Sequence, residues 1–147
     1  MIDMRIKLLF FDRAKVQRAV DRGRIKALSR AGAFIRQRAK TSIRRRRGAS
    51  RPGNPPHSHT GYLRNFIFFG YEPATESVVI GPVKLNQKNT DAPRRLEHGG
   101  TTVITDFRDG RLIHRKVTIA PRRYMGPALD AERDNIPRQW AGVVMDS

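Results

Sequence analysis

Apolar side chains recur at helical spacing in the first third of the chain, with Lys and Arg at many of the positions between them. This spacing predicts an amphipathic helix over residues 13–43, preceded by Asp12 as its N-cap. At about 1.5 Å per residue the helix is roughly 45 Å long, which is more than a domain of this size requires. Gly23 and Gly32 are the positions where we expect it to weaken or bend. Its apolar face comprises Val16, Val20, Ala27, Ala31, Ile35, Ala39 and Ile43.

Other segments have the two-residue period of half-buried strands. Residues 4–10 predict a strand before the long helix, and the Asp109-Gly110 step predicts a tight hairpin turn. A short helix should end at Gly99, because glycine readily adopts the left-handed conformation after a helix end. Pro127 lies near the start of a C-terminal helix, which Pro137 is expected to kink. The remaining predictions are strands over 66–72, 76–83, 101–107 and 111–120, a helix over 91–98, and a C-terminal helix with Leu129, Ile136, Trp140, Val143 and Val144 on one face.

This order of elements predicts an α+β fold in which one antiparallel sheet packs against the long N-terminal helix and the C-terminal helix. Residues 48–60 contain three prolines and two glycines, so they cannot continue a helix or a strand. We therefore expect residues 44–60 to form an extended, exposed basic loop, named the basic loop below. The 147 residues suit a single domain, 1–147, that buries a core without disulfides.

Composition narrows the class of protein. No apolar stretch approaches the roughly 18 residues of a membrane span, and residues 1–10 lack the features of a signal peptide. The chain has no cysteine, which excludes disulfides and cysteine-based zinc sites and fits an intracellular origin. We expect a soluble protein that does not enter a membrane.

The formal net charge of +17 is concentrated near the N-terminus. Residues 13–47 hold fourteen Lys or Arg against the single acid Asp21. Two interpretations follow: the block attracts polyanions by releasing phosphate counterions, or it is a helix face answered by an acidic partner surface.

Catalytic patterns are not found in the sequence. There is no cysteine nucleophile, serine elbow, phosphate loop or suitably spaced carboxylate pair. The His57-Ser58-His59 stretch resembles half of a metal site, but no further ligands are nearby, which favours histidines in solvent or at an interface. We therefore predict a non-enzyme without cofactor or metal.

Four consecutive arginines, Arg44, Arg45, Arg46 and Arg47, are named the arginine run. A helix C-terminus favours cations but cannot satisfy four of them, so solvent, DNA phosphates and acidic side chains of a partner are the alternatives. No aromatic residue interleaves the run, so base stacking is not predicted and any DNA contact would be to the backbone. The candidate contacts to DNA or a partner are Arg44, Arg45, Arg46, Arg47, Arg51, His57 and His59.

Tyr124 and Met125 form a second constellation, because two large apolar side chains stand in a connecting segment just before a helix. They either plug the core or project into a neighbouring subunit, since aromatic residues and methionine are favoured at interfaces.

Four segments in order resemble motifs of the neck and tail-completion proteins of tailed bacteriophages, which are minor tail components of the head–tail junction. The match covers most of the chain after the long helix, and the basic loop resembles the preceding segment of the more basic members. His98 stands where the family often has a bulkier residue, and Tyr124 where phenylalanine is common. The segments are "HTGYLRNFI" (59–67), "SVVIGPV" (77–83), "RRLEHGG" (94–100) and "PRRYMGPALD" (121–130).

The resemblance implies an α+β structural protein of the virion, assembled in the host cytoplasm, without cofactor or catalytic centre. It implies a homo-oligomeric ring, a hexamer or dodecamer, that joins head-closure or adaptor proteins to a tail terminator or tail tube and lines the DNA exit channel. The basic loop would lie at a ring surface or in the channel, where it would contact genomic DNA or a partner. The alternative is a non-specific basic nucleic-acid-binding protein. The expected subunit-interface residues are Arg94, Glu97, Tyr124 and Met125.

Overall fold

The computed structural model describes residues 12–83 and 91–141. Helices and antiparallel strands are mixed, which confirms the coarse α+β prediction. The predicted strand over residues 4–10 lies outside the described residues. The elements are α1 (Arg13–Ser42), α2 (Tyr62–Asn65), β1 (Ile67–Glu72), β2 (Ser77–Pro82), α3 (Ala92–His98), β3 (Gly100–Arg108), β4 (Arg111–Ile119) and α4 (Met125–Glu132), followed by 3₁₀ turns at Arg133–Asn135 and Pro137–Gln139.

Helix α1 is continuous over 30 residues, as the apolar spacing predicts. The Asp12 side chain caps it by accepting a hydrogen bond from the Lys15 N–H at 3.0 Å. Its buried face is made of small residues and one isoleucine, which allows other elements to approach closely. A Cβ atom on Gly32 would lie 2.9 Å from side-chain atoms of both Phe69 and Val78. Gly32 thus permits close contact between α1 and the first hairpin. The buried residues of α1 are Gly23, Ala27, Ala31, Gly32, Ile35 and Ala39.

The four strands form two separate antiparallel hairpins within the described residues, β1–β2 and β3–β4. The prediction of one continuous sheet was therefore wrong for this part of the chain. Pairing between strands that are distant in sequence leaves no local pattern, whereas each hairpin is signalled by its own turn. Asp109 and Gly110 both have positive φ, 50° and 76°, which is the geometry that an Asp-Gly hairpin turn favours.

The C-terminal helix differs from its prediction. Helix α4 begins at Met125, two residues before Pro127, and ends at Glu132, after which the chain continues as 3₁₀ turns. Pro137 has no N–H to donate to the carbonyl of residue 133, so a regular α-helix cannot run through this position. Trp140 is 43% exposed, so it does not fill the core; Val143 and Val144 lie outside the described residues.

The hydrophobic core lies where the second half of α1 meets β1 and α4. None of the described helices is both long and apolar enough to span a lipid bilayer. Among the described residues, eight hydrophobic side chains are buried while seventeen large ones remain exposed. The core residues are Ile35, Ala39, Ile43, Ile67, Tyr124 and Ala128, with Leu63, Ile80, Leu96, Met125 and Ile136 packed around them.

Candidate functional site

The backbone leaves the core at the end of α1, and the arginine run follows directly. Ile43 adopts an extended conformation and is buried, which fixes the point of departure. The backbone of the run is held, because the Arg44 carbonyl accepts a hydrogen bond from the Ser58 N–H at 2.9 Å. All four arginine side chains are exposed, and within the described residues none of them forms an ion pair. The run therefore offers four guanidinium groups to an anionic partner.

The rest of the basic loop is fastened to the segment between β4 and α4. The Gly53 N–H donates to the Pro121 carbonyl at 3.1 Å, and the Arg122 Nε donates to the Ser50 carbonyl at 3.0 Å. Ser50, Pro56 and Ser58 of the loop are themselves buried, so the loop is not exposed along its whole length. These contacts give the arginine run a defined position relative to the segment that precedes α4.

The two histidines of the loop have different surroundings. The Nδ1 atom of His57, which is half-buried, lies 2.8 Å from the Gly48 carbonyl oxygen. His59 is exposed and shares a shallow depression with three members of the arginine run, and Arg51 is exposed as well. Across residues 12–83 and 91–141, no cluster of three or more His, Asp or Glu side chains is arranged to hold a metal ion.

Glu97 is a buried carboxylate, 8% exposed, that faces the start of α4. Its oxygens accept hydrogen bonds from three successive backbone N–H groups, at 2.9, 3.0 and 2.8 Å. Burial raises the pKa of Glu97, but these donors and the Arg123 guanidinium lower it by more, so the pKa lies below its ordinary value. Glu97 acts as a long-range cap for the first turn of α4. The three donors belong to Tyr124, Met125 and Gly126.

The residues expected at a subunit interface have different exposures. Tyr124 is 1% exposed and belongs to the core, so its side chain lies inside the protein rather than on its surface. Burial, together with the nearby Glu97 charge, raises the pKa of Tyr124. Met125 is half-buried against the core, and Arg94 is exposed. Of these four, Arg94 and part of Met125 are accessible to a neighbour.

Three aromatic side chains, Tyr62, Phe66 and Phe68, form a surface feature that we name the aromatic row. The Tyr62 and Phe66 ring centroids are 5.8 Å apart, and those of Phe66 and Phe68 are 6.1 Å apart, both edge to face. The Arg36 guanidinium carbon lies 5.8 Å from the Phe68 ring centroid. Its Nε donates to the Ile67 carbonyl at 2.6 Å, so one hydrogen bond holds the guanidinium beside the ring.

Sequence reasoning missed the aromatic row because its members belong to elements of different period. Tyr62 and Phe66 are four residues apart on a helical turn, whereas Phe66 and Phe68 are two apart at the start of a strand. The sequence did contain a signal for it. Residues four apart share a face of a helix, as Tyr62 and Phe66 do, and residues two apart share a face of a strand, as Phe66 and Phe68 do. The fold also places the row beside Arg36 of α1, which lies far from it in sequence.

In comparisons with known proteins, no family model, curated protein or solved structure matches the chain.

Proposed function

We propose that this chain is a ring-forming structural subunit of the neck of a tailed bacteriophage, located in the virion between the head-closure proteins and the tail. The proposed location at the head–tail junction is supported by four ordered motifs that resemble those of the neck and tail-completion family. The exposed apolar surface of the second hairpin, β3–β4, is the structural observation that carries the assembly.

The second hairpin has little support from its own subunit. Val103, Phe107 and Leu112 are 61%, 71% and 65% exposed. In the described part of the chain, β3 and β4 pair only with each other, so both outer edges keep unpaired backbone groups. An isolated two-stranded hairpin is marginally stable in water, and open edges favour pairing with another chain. Such a hairpin is suited to contact a neighbouring subunit.

Both faces of this hairpin mix apolar and charged side chains. Phe107 pairs with Leu112 on one face, whereas Asp106 pairs with Ile113 on the other. Subunit interfaces commonly combine apolar anchors with polar surroundings. If the hairpin of one copy contacts a different surface of the next, the contact is head-to-tail, and repetition closes a ring when the rotation permits.

The first turns of α1 provide a second surface for assembly. Val16 and Val20 are 44% and 45% exposed, and they precede Gly23, the first buried residue of the helix. A helix that extends beyond its own core has apolar side chains available to a neighbour. In the proposed hexameric or dodecameric ring, adjacent copies, head-closure or adaptor proteins, or tail proteins are the partners for this surface.

The arginine run supplies the electrostatic part of the proposal. In a ring whose channel carries DNA, these guanidinium groups contact either phosphates of the genome or acidic side chains of a partner. The basic loop holds them in a fixed position, so each subunit would present the same cationic surface.

The proposal is tested by reconstituting the full chain with portal, head-closure and tail-tube proteins and imaging the product by electron microscopy. We expect ring-shaped density at the head–tail junction, and density missing from that position would overturn the assignment. The double variant Phe107→Ser, Leu112→Ser should fold but lose the ring, measured by light scattering on the isolated chain. Tyr62→Ser, another exposed aromatic substitution, is the matched control and should retain the ring.

A further inference from the structure

We infer that the aromatic row is a stacking platform for the unpaired bases of single-stranded nucleic acid. The three rings belong to one subunit, so the site does not depend on ring assembly and goes beyond the proposed function.

The three rings of the aromatic row are exposed. Tyr62, Phe66 and Phe68 are 58%, 36% and 47% exposed. Neighbouring rings meet edge to face, at interplanar angles of 67° and 76°, so each contact occupies one face of one ring only and the opposite face takes no part in it. Aromatic faces left open in this way accept bases without regard to sequence, because every base has a π-face.

Arg36 adds a cationic group to the aromatic row. Its guanidinium lies over Phe68, and no carboxylate in the described part of the chain forms an ion pair with it. A guanidinium beside an aromatic ring combines a cationic contact for phosphate with a planar surface for a base. This combination recurs in proteins that bind single strands.

The stretch of sequence that contains both the row and Arg36 is strongly basic, which favours an anionic partner. Residues 22–71 contain thirteen Lys or Arg and no Asp or Glu. A protein partner would need both an apolar patch and a strongly acidic surface, whereas a single-stranded nucleic acid carries bases and phosphates along its whole length. Duplex DNA offers phosphates but keeps its bases stacked within the helix, so it cannot use the rings.

The experiment titrates the full chain into fluorescently labelled strands and follows fluorescence anisotropy. The probes are an oligothymidylate of about twenty nucleotides, an oligouridylate of the same length, an abasic deoxyribose-phosphate strand of equal charge, and a duplex. We expect both base-bearing single strands to bind at least about fivefold more tightly than the abasic strand. The ratio of thymidylate to uridylate affinity separates DNA from RNA as the preferred source of the bases.

Variants identify the residues responsible. Phe68→Ala should weaken oligothymidylate binding about fivefold or more while leaving abasic binding and the salt dependence unchanged. Phe68→Leu keeps an apolar side chain, protects the fold and should show the same loss. Trp140→Ala removes a ring of comparable exposure, 43%, that lies outside both the aromatic row and the second hairpin; it is the matched control, with no expected change. Arg36→Gln should weaken binding to every strand and reduce the slope of log affinity against log salt by about 0.7.

Equal affinity for the abasic strand and oligothymidylate would overturn the inference, and so would equal losses for the Phe68 and Trp140 variants. If Phe68→Leu instead lowers the oligomer mass and leaves nucleic-acid binding unchanged, the row is a protein interface. Because binding is measured on the isolated chain, failure of the head–tail assignment does not affect this result.

Discussion

The Glu97 carboxylate holds the backbone N–H of Gly126 at 2.8 Å across 29 residues of sequence. A single acid on α3 thereby satisfies backbone donors at the start of α4, which Tyr124, the N-cap residue, leaves without a side-chain cap. A negative charge at this position also complements the helix dipole. The orientation of the C-terminal helix therefore depends on a residue outside it.

Replacing Glu97 with glutamine should destabilise the fold. The amide keeps one acceptor oxygen but turns an NH₂ group toward backbone donors, which leaves buried N–H groups unsatisfied at about 1–3 kcal/mol. Urea unfolding followed by circular dichroism measures the loss. Asp134→Asn, at an exposed acid in the following 3₁₀ turn, is the control and should unfold near the wild-type midpoint. Equal midpoints for Glu97→Gln and wild type would show that the cap contributes little.

Stability should fall at acid pH. The pKa of Glu97 is lowered by hydrogen bonds and Arg123 despite its burial, and the pKa of Glu132 is lowered by its hydrogen bonds to Arg38 and Asn135. Because both folded-state pKa values lie below the ordinary 4.5, the stabilisation is fully present above that value and is lost as the pH falls through the folded-state pKa values. Unfolding midpoints measured across this range should decline less steeply in Glu97→Gln. An unchanged decline in that variant would assign the acid sensitivity to other groups.

Gly32→Ala should destabilise the contact between α1 and the first hairpin. The new Cβ would lie 2.9 Å from side-chain atoms of both Phe69 and Val78. Overpacking of this kind typically costs about 1–3 kcal/mol. The better helix propensity of alanine offsets about 1 kcal/mol of this cost. Gly70→Ala is the matched control, because nothing lies within 4 Å of its added Cβ. Chemical denaturation compares the two, and a gain in stability for Gly32→Ala would show that the hairpin yields readily.

Replacing the whole arginine run with serine should leave folding intact, because the four side chains are exposed and unpaired within the described residues. Thermal melting should give the wild-type midpoint, while reconstitution of the head–tail junction is impaired. A variant with four lysines retains the charge but not the bidentate geometry of arginine, and it should restore phosphate contacts more fully than contacts to carboxylates on a partner. A lowered melting temperature in the serine variant would make the run structural.

Local patterns predicted much of the fold. The apolar spacing of α1, the Asp109-Gly110 turn and the glycine after α3 each act within a few residues, and the positions of these three features were confirmed. Gly99 has a positive φ of 74° but a ψ of −170°, so it does not adopt the left-handed helical conformation that was predicted. The end of α4 was missed because the apolar pattern continues past Glu132, where Pro137 and the 3₁₀ turns end the α-helix. The separation of the four described strands into two hairpins depends on long-range pairing, which no short segment encodes.

The candidate site was less predictable for the same reason. Exposure of the arginine run follows from its charge, but the capping role of Glu97 requires that α3 and α4 meet. Tyr124 and Trp140 illustrate the difficulty: the tyrosine is inside the core and the tryptophan is partly outside, although both are large and lie close in sequence. Tertiary contacts, which the local sequence does not reveal, determine which of the two side chains is buried. The functional roles of the arginine run, Arg51, His57 and His59 remain predictions.

The bonds from Gly53 and Ser50 to Pro121 and Arg122 have a mechanical consequence. A displacement of the basic loop would be transmitted to the residues just before α4 through these two hydrogen bonds. A force applied to the arginine run would therefore also act on the segment that leads into α4.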